Sequence, residues 1–183
     1  MMQFWKESEQ NARLIKTMKP SNNTESNPIK RYVKSALKKV YREDMSLIER
    51  EASERAIVFR FGLYLYEILK STEFKDYDVD VEYNRNGYDP KRISSHSQNG
   101  IVPDLIIHKR EVNTDNVLVL EFKTYWNSNQ TDDVDKIQKL MDLSGEYKFQ
   151  YGATILIKRD RPYIKWILRK QLQNKVGEYR KVE

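Results

Sequence analysis

The apolar residues of this chain change rhythm several times, and each rhythm predicts an element. From Ile29 they recur at Tyr32, Val33, Ala36, Leu37, Val40 and Tyr41, the i, i+3, i+4, i+7 series of an amphipathic helix. Asn27 and Pro28 stand where an N-cap and a first helical residue belong, and Lys30, Arg31, Lys34, Lys38 and Lys39 fill the remaining faces. A second helix is predicted from near Ser46 to about Lys70. Its first half is amphipathic, whereas residues 56–69 are apolar nearly all round, which calls for packing against a sheet. Residues 77–83 alternate strictly and read as a half-buried strand. Residues 101–108 and 117–123 form two more strands, and the polar link 109–115 joins them as a hairpin. Thr131 and Asp132 then cap a helix with Val134, Ile137, Leu140 and Met141 on one side. Residues 151–157 are the last core strand; 163–168 fit either another strand or the start of a helix through Lys175. This order predicts an α/β (α+β) mixed sheet flanked by helices, with extra helices at the N-terminus.

Outside these elements, residues 1–27 hold one short amphipathic turn (Phe4, Trp5, Leu14, Ile15) and then a Ser/Asn-rich run with the composition of a linker. The chain is therefore expected to divide into 1–45, a helical extension and linker, and 46–183, the main domain with a basic C-terminal segment. Its 183 residues suffice for one core and an appendage. The absence of cysteine excludes a disulfide framework and a cysteine-ligated metal site, and it suits a reducing cytoplasm, the expected location. No apolar stretch approaches the ~18 residues that span a bilayer, so no membrane association is expected. The net charge of +6 favours a polyanionic partner. Residues 158–183 alone hold nine Lys/Arg against three Asp/Glu, an excess equal to that of the whole chain.

The chemistry gathers on the predicted hairpin. Side chains repeat with period two along a strand, so Asp104 shares a face with Ile106 and His108, and Glu121 shares one with Lys123. If the strands pair, Asp104 and Glu121 converge on one hard cation, with Lys123 roughly 7 Å further along the same face. Oxygen ligands on a divalent ion beside a lysine meet the requirements of metal-assisted phosphodiester hydrolysis. Lys123 can serve there in two ways: by exchanging a proton with the attacking water after its pKa falls beside the cation, or by staying charged and stabilising the phosphorane. His108 is more simply read as a hydrogen-bonded structural residue than as a base. No phosphate-cradling glycine loop, serine-esterase elbow or H-E-x-x-H zinc motif is present.

Pro103-Asp104 followed by Glu121-Phe122-Lys123 resembles the PD-(D/E)xK nuclease superfamily, the restriction-endonuclease-like fold. Further blocks resemble small bacterial nuclease-like proteins of that superfamily: Glu54-Arg55-Ala56-Ile57, residues 79–85, His108 with Arg110, Asn116 through Lys123, Lys139-Leu140 and Tyr151-Gly152. The resemblance spans 53–157. It implies a Mg²⁺ (or Mn²⁺) site with Asp104, Glu121, Glu54 and Phe122 as ligands, and Lys123 as the catalytic lysine. It also implies a DNA substrate, preferred to RNA, in bacterial or phage DNA processing or defence. Asn84, Arg85, Lys91 and Arg92, in and before the polar loop 85–100, are expected to contact nucleic acid; that loop is expected to be mobile. The same residues are compatible with a catalytically silent nucleic-acid-binding or interaction module, and with a protein that works as a homodimer or in a larger complex.

Overall fold

The computed structural model describes residues 27–86, 89–90, 101–127 and 133–169. The chain divides into two units, Met1–Arg31 and Tyr32–Glu183, and the second holds the sheet. Helix α1 (Pro28–Glu43) starts as its sequence demands, with Asn27 Oδ1 accepting the Ile29 N–H at 3.0 Å. Val33, Ala36, Leu37 and Val40 of its apolar stripe are buried.

The predicted second helix is broken. It forms α2 (Met45–Glu49) and α3 (Glu54–Leu69), because Glu51 turns the backbone into the left-handed region (φ 50°). Ser53 then caps the new helix by accepting the Ala56 N–H at 3.3 Å. Asp44 fastens the joint from the other side: it accepts from Arg60 Nε at 2.9 Å and from the Tyr64 hydroxyl at 2.6 Å. The break places Glu54 in the first turn of α3, where a carboxylate also complements the helix dipole.

The main sheet has five strands in the order β1-β4-β5-β6-β7: β1 (Asp78–Val81), β4 (Leu105–His108), β5 (Leu118–Thr124), β6 (Tyr151–Ile157) and β7 (Tyr163–Ile167). β1, β4 and β5 pair antiparallel, so the predicted hairpin forms. β5 and β6 run parallel, which requires a crossover; α4 (Asp133–Met141) lies in it. β7 returns antiparallel to β6, settling residues 163–167 as strand. Within the polar loop, β2 (Arg85–Asn86) and β3 (Asp89–Pro90) make a small separate hairpin. The capping pair Thr131 and Asp132, and residue 168 onward as a helix through Lys175, reach outside the described residues.

Strand alternation then distributes the two helical layers. α3 covers the face carrying Val81, Leu105 and Phe122: the Phe61 and Phe122 rings meet edge to face at 5.1 Å, and Leu105 Cδ1 lies 3.2 Å from where a Cβ on Gly62 would be. α4 covers the other face, where Ile106 and Val119 pack with Ile137, Leu140 and Met141. Each such buried side chain contributes about 1.5–3 kcal/mol. α3 is apolar nearly all round, yet only one side meets the sheet; Phe59, Leu63 and Tyr66 remain exposed. Among the described residues no helix is long and apolar enough to cross a membrane.

Candidate functional site

The register Leu105↔Leu120 carries one step further to set Asp104 opposite Glu121, at the end where β4 begins. Asp104 substitutes its side chain for the missing ladder bond: Oδ2 accepts the Phe122 N–H at 2.6 Å. Its own carbonyl accepts the Glu82 N–H at 3.1 Å, so β5 on one side and the residue following β1 on the other hold it. Glu121 is 2% exposed. Lys136 Nζ sits 2.7 Å from Glu121 Oε1 and donates to the Val102 carbonyl at 2.8 Å. That ammonium is the counter-charge of a buried carboxylate oxygen that has no other polar partner among the described residues. Two residues on, Lys123 Nζ is 3.5 Å from Asp133 Oδ2. Glu54 reaches the same end of the sheet from α3, close enough to feel the charges of Lys123 and Asp104 and to accept a main-chain hydrogen bond from Thr124.

The electrostatics are those of crowded carboxylates. Burial, and then the charge of Asp104, push the Glu121 carboxyl up to about 8 against the pull of Lys136. Burial likewise raises Asp104 above the usual carboxylate range, opposed by the Phe122 N–H and both lysines. Glu54 is raised too, chiefly by burial. For Lys123 burial favours the neutral amine, but Asp133, Glu54, Asp104 and Glu121 together outweigh it and hold the ammonium charged. A carboxyl pair that resists ionisation this strongly is a pair that a cation would relieve.

Asp104, Glu121, Lys123 and Glu54 are therefore brought together. Asp133 and Lys136 join them, and the sequence reading missed both. Their spacing on α4 is the faint signal: three residues apart on the border of the apolar stripe, they look toward the sheet rather than away from it. Phe122 contributes its N–H to Asp104 and buries its ring, leaving its carbonyl as the group suited to a cation. Asn84 is half-buried and Arg85 exposed on β2, beyond the end of β1. Lys91 and Arg92 lie outside the described residues. His108 is structural: its Nε2 is 2.9 Å from Asp80 Oδ2, Arg110 clasps the same carboxylate, and the Tyr83 ring lies against the imidazole at 4.6 Å.

The donor set fits a hard divalent ion. All its atoms are oxygens, Glu121 Oε1 is buried with the Lys136 ammonium as its counter-charge, and Asp104 commits only Oδ2 to the main chain. Among the described residues no three Asp, Glu or His side chains are gathered as a ready-made cage. Magnesium needs none, since it commonly keeps several waters and takes one or two carboxylates.

No protein-family model matches the chain, and no curated protein matches it. Among solved structures, the crystal structure of SSO0001 aligns with 80% of this chain and 79% of its own, at 16% identity and a TM-score of 0.27. A likeness that slight carries no argument about fold or function.

Proposed function

We propose that this protein is a Mg²⁺- or Mn²⁺-dependent nuclease of the PD-(D/E)xK kind that hydrolyses DNA phosphodiester bonds. The observation that supports this most is the pairing of half-buried Asp104 with buried Glu121, with Lys123 and Glu54 at the same end of the sheet. Asp104, Glu121 and the Phe122 carbonyl would hold the ion, with Glu54 as a further oxygen ligand. When bound, the ion acts as a Lewis acid on the phosphoryl group and neutralises its developing charge.

The chain's own residues supply the rest. Lys123, 3.5 Å from Asp133, would either donate to a non-bridging phosphate oxygen as charge builds there in the transition state or, with the ion neutralising the neighbouring carboxylates, exchange a proton with the attacking water. Asp133 fixes where that ammonium points. Lys136 holds Glu121 and ties α4 to Val102, just before Pro103-Asp104, so that both carboxylates keep their places. Water attacks phosphorus and gives up a proton to a base or to solvent, the P–O bond to the leaving sugar oxygen breaks, and that oxygen takes up a proton in turn, so that the net transfer is of one water proton to the leaving group. Asn84, Arg85, Lys91 and Arg92 would contact flanking phosphates.

The test is direct: purified protein is incubated with linear, circular and single-stranded DNA, and with RNA, with Mn²⁺ or EDTA. The proposal expects Mn²⁺-dependent cleavage of at least one DNA form. Nucleic-acid binding with no cleavage of any substrate would favour a silent binding module.

A further inference from the structure

Resting on that reading, we infer that the cavity beside the carboxylates is the subsite for one phosphodiester unit of DNA, and that Arg55 is its phosphate-binding residue. The cavity, about 290 Å³, is lined by Glu54, Arg55, Val58, Val81, Glu82 and Asp104. That is close to the ~300 Å³ at which small-ligand pockets begin, room for about one nucleotide. It adjoins two members of the ion-binding centre, so a phosphate inside it lies next to the reacting position.

Arg55 is the cationic side chain in this lining, against the carboxylates of Glu54, Glu82 and Asp104. Its Nε is 2.7 Å from Glu82 Oε1, and the pair is open to solvent on both sides, with the Arg55 side chain 74% exposed. Such exposed pairs are held weakly. The two Nη groups have no partner among the described residues. A guanidinium so placed keeps its forked donors free for a phosphate, the geometry arginine matches best. Glu82 is fixed from the other side: its backbone sits at φ 52° and its N–H is bonded to the Asp104 carbonyl. Glu82 thus competes with DNA for Arg55 from a position tied to the centre itself.

The charge balance adds a coupling. With three carboxylates and one guanidinium the empty cavity repels a polyanion; neutralising Asp104 and its neighbours with a divalent ion removes most of that repulsion. Arg55 therefore acts on DNA when the ion is present and little when it is not. An arginine that merely adds to surface charge would act in both conditions.

The experiment measures binding of a short fluorescein-labelled oligothymidylate and a matching duplex by anisotropy, in Ca²⁺ and in EDTA, over a series of NaCl concentrations. Wild type, Arg55→Ala and Glu82→Gln are compared, and thermal melting confirms that each is folded. In Ca²⁺, Arg55→Ala should bind roughly tenfold more weakly, with a salt slope lower by about one. In EDTA it should match wild type. Glu82→Gln, which releases the guanidinium, should bind more tightly in Ca²⁺. Unchanged affinity of Arg55→Ala in Ca²⁺, an equal loss in EDTA, or weaker binding by Glu82→Gln overturns the subsite. If wild type nevertheless cleaves DNA in Mn²⁺, only the subsite is lost. Arg55- and Ca²⁺-dependent binding without any cleavage keeps the subsite and removes the nuclease. A wild type that neither binds nor cleaves removes both.

Discussion

Replacing Glu121 by Gln keeps the shape of a buried side chain and removes its charge. In the folded protein without divalent ions the Glu121 carboxyl is pushed from 4.5 up to about 8. Between those values the native state binds a proton that the unfolded chain has released, so stability falls as pH rises through the interval. At ~1.4 kcal/mol per pH unit the full interval amounts to roughly 5 kcal/mol, an upper bound because Lys136 relaxes toward whichever partner remains. The assay is urea denaturation in EDTA at several pH values from 5 to 9. Wild type should lose several kcal/mol across this range, and Glu121→Gln should lose much less, becoming the more stable protein at pH 8 to 9. Adding Mn²⁺ should then reverse the order, stabilising wild type and leaving Glu121→Gln almost unchanged. A wild type whose stability in EDTA is flat from pH 5 to 8, or a variant with the same slope, would refute the picture of a strained carboxylate waiting for a cation.

Two further outcomes follow from neighbouring contacts. Burial opposes ionisation of Asp80, yet hydrogen bonds from His108 and Arg110 win and bring it down from 3.8 to about 2. Its stabilisation is complete above pH 3.8 and disappears as pH falls through 2. Asp80→Asn should therefore cost roughly 2 kcal/mol at neutral pH and show a shallower acid transition, read by urea denaturation. At Gly152 a Cβ would meet the Ile137 methyl and come within 2.6 Å of Met141 Sδ. Gly152→Ala should lower stability by about 1–3 kcal/mol in thermal melts, and by shifting α4 with Asp133 and Lys136 it should also weaken Mn²⁺ binding in calorimetry.

Much of the site was legible because it sits on strands. Period-two alternation and a polar link were enough to put Asp104 and Glu121 on facing strands, and Lys123 beside them on one face. The contributions of α4 were not legible in the same way. Asp133 and Lys136 approach β5 only after a crossover, and their positions follow from how Ile137 and Leu140 pack, which the local pattern does not encode. The break between α2 and α3 was hidden for a different reason. Its left-handed residue is Glu51 rather than the glycine that usually announces one, so a continuous apolar pattern masked the turn that brings Glu54 to the site. Residues 163–167 were ambiguous until β6 offered an edge to pair with, since a short apolar run takes its structure from its neighbour. The Asp80–His108–Arg110 cluster had been expected to be structural at His108, and the buried imidazole between a carboxylate and Tyr83 agrees.

The most direct test of the central claim pairs a rate with an affinity. Cleavage of DNA by wild type and Lys123→Ala is timed in Mn²⁺, and binding of the same DNA is titrated in Ca²⁺. An interaction made mainly in the transition state lowers the rate without a matching loss of ground-state affinity. The account predicts that Lys123→Ala abolishes cleavage while its affinity falls by no more than one lost phosphate contact. Cleavage that persists in Lys123→Ala, or a wild type that binds DNA and never cuts it, would contradict it.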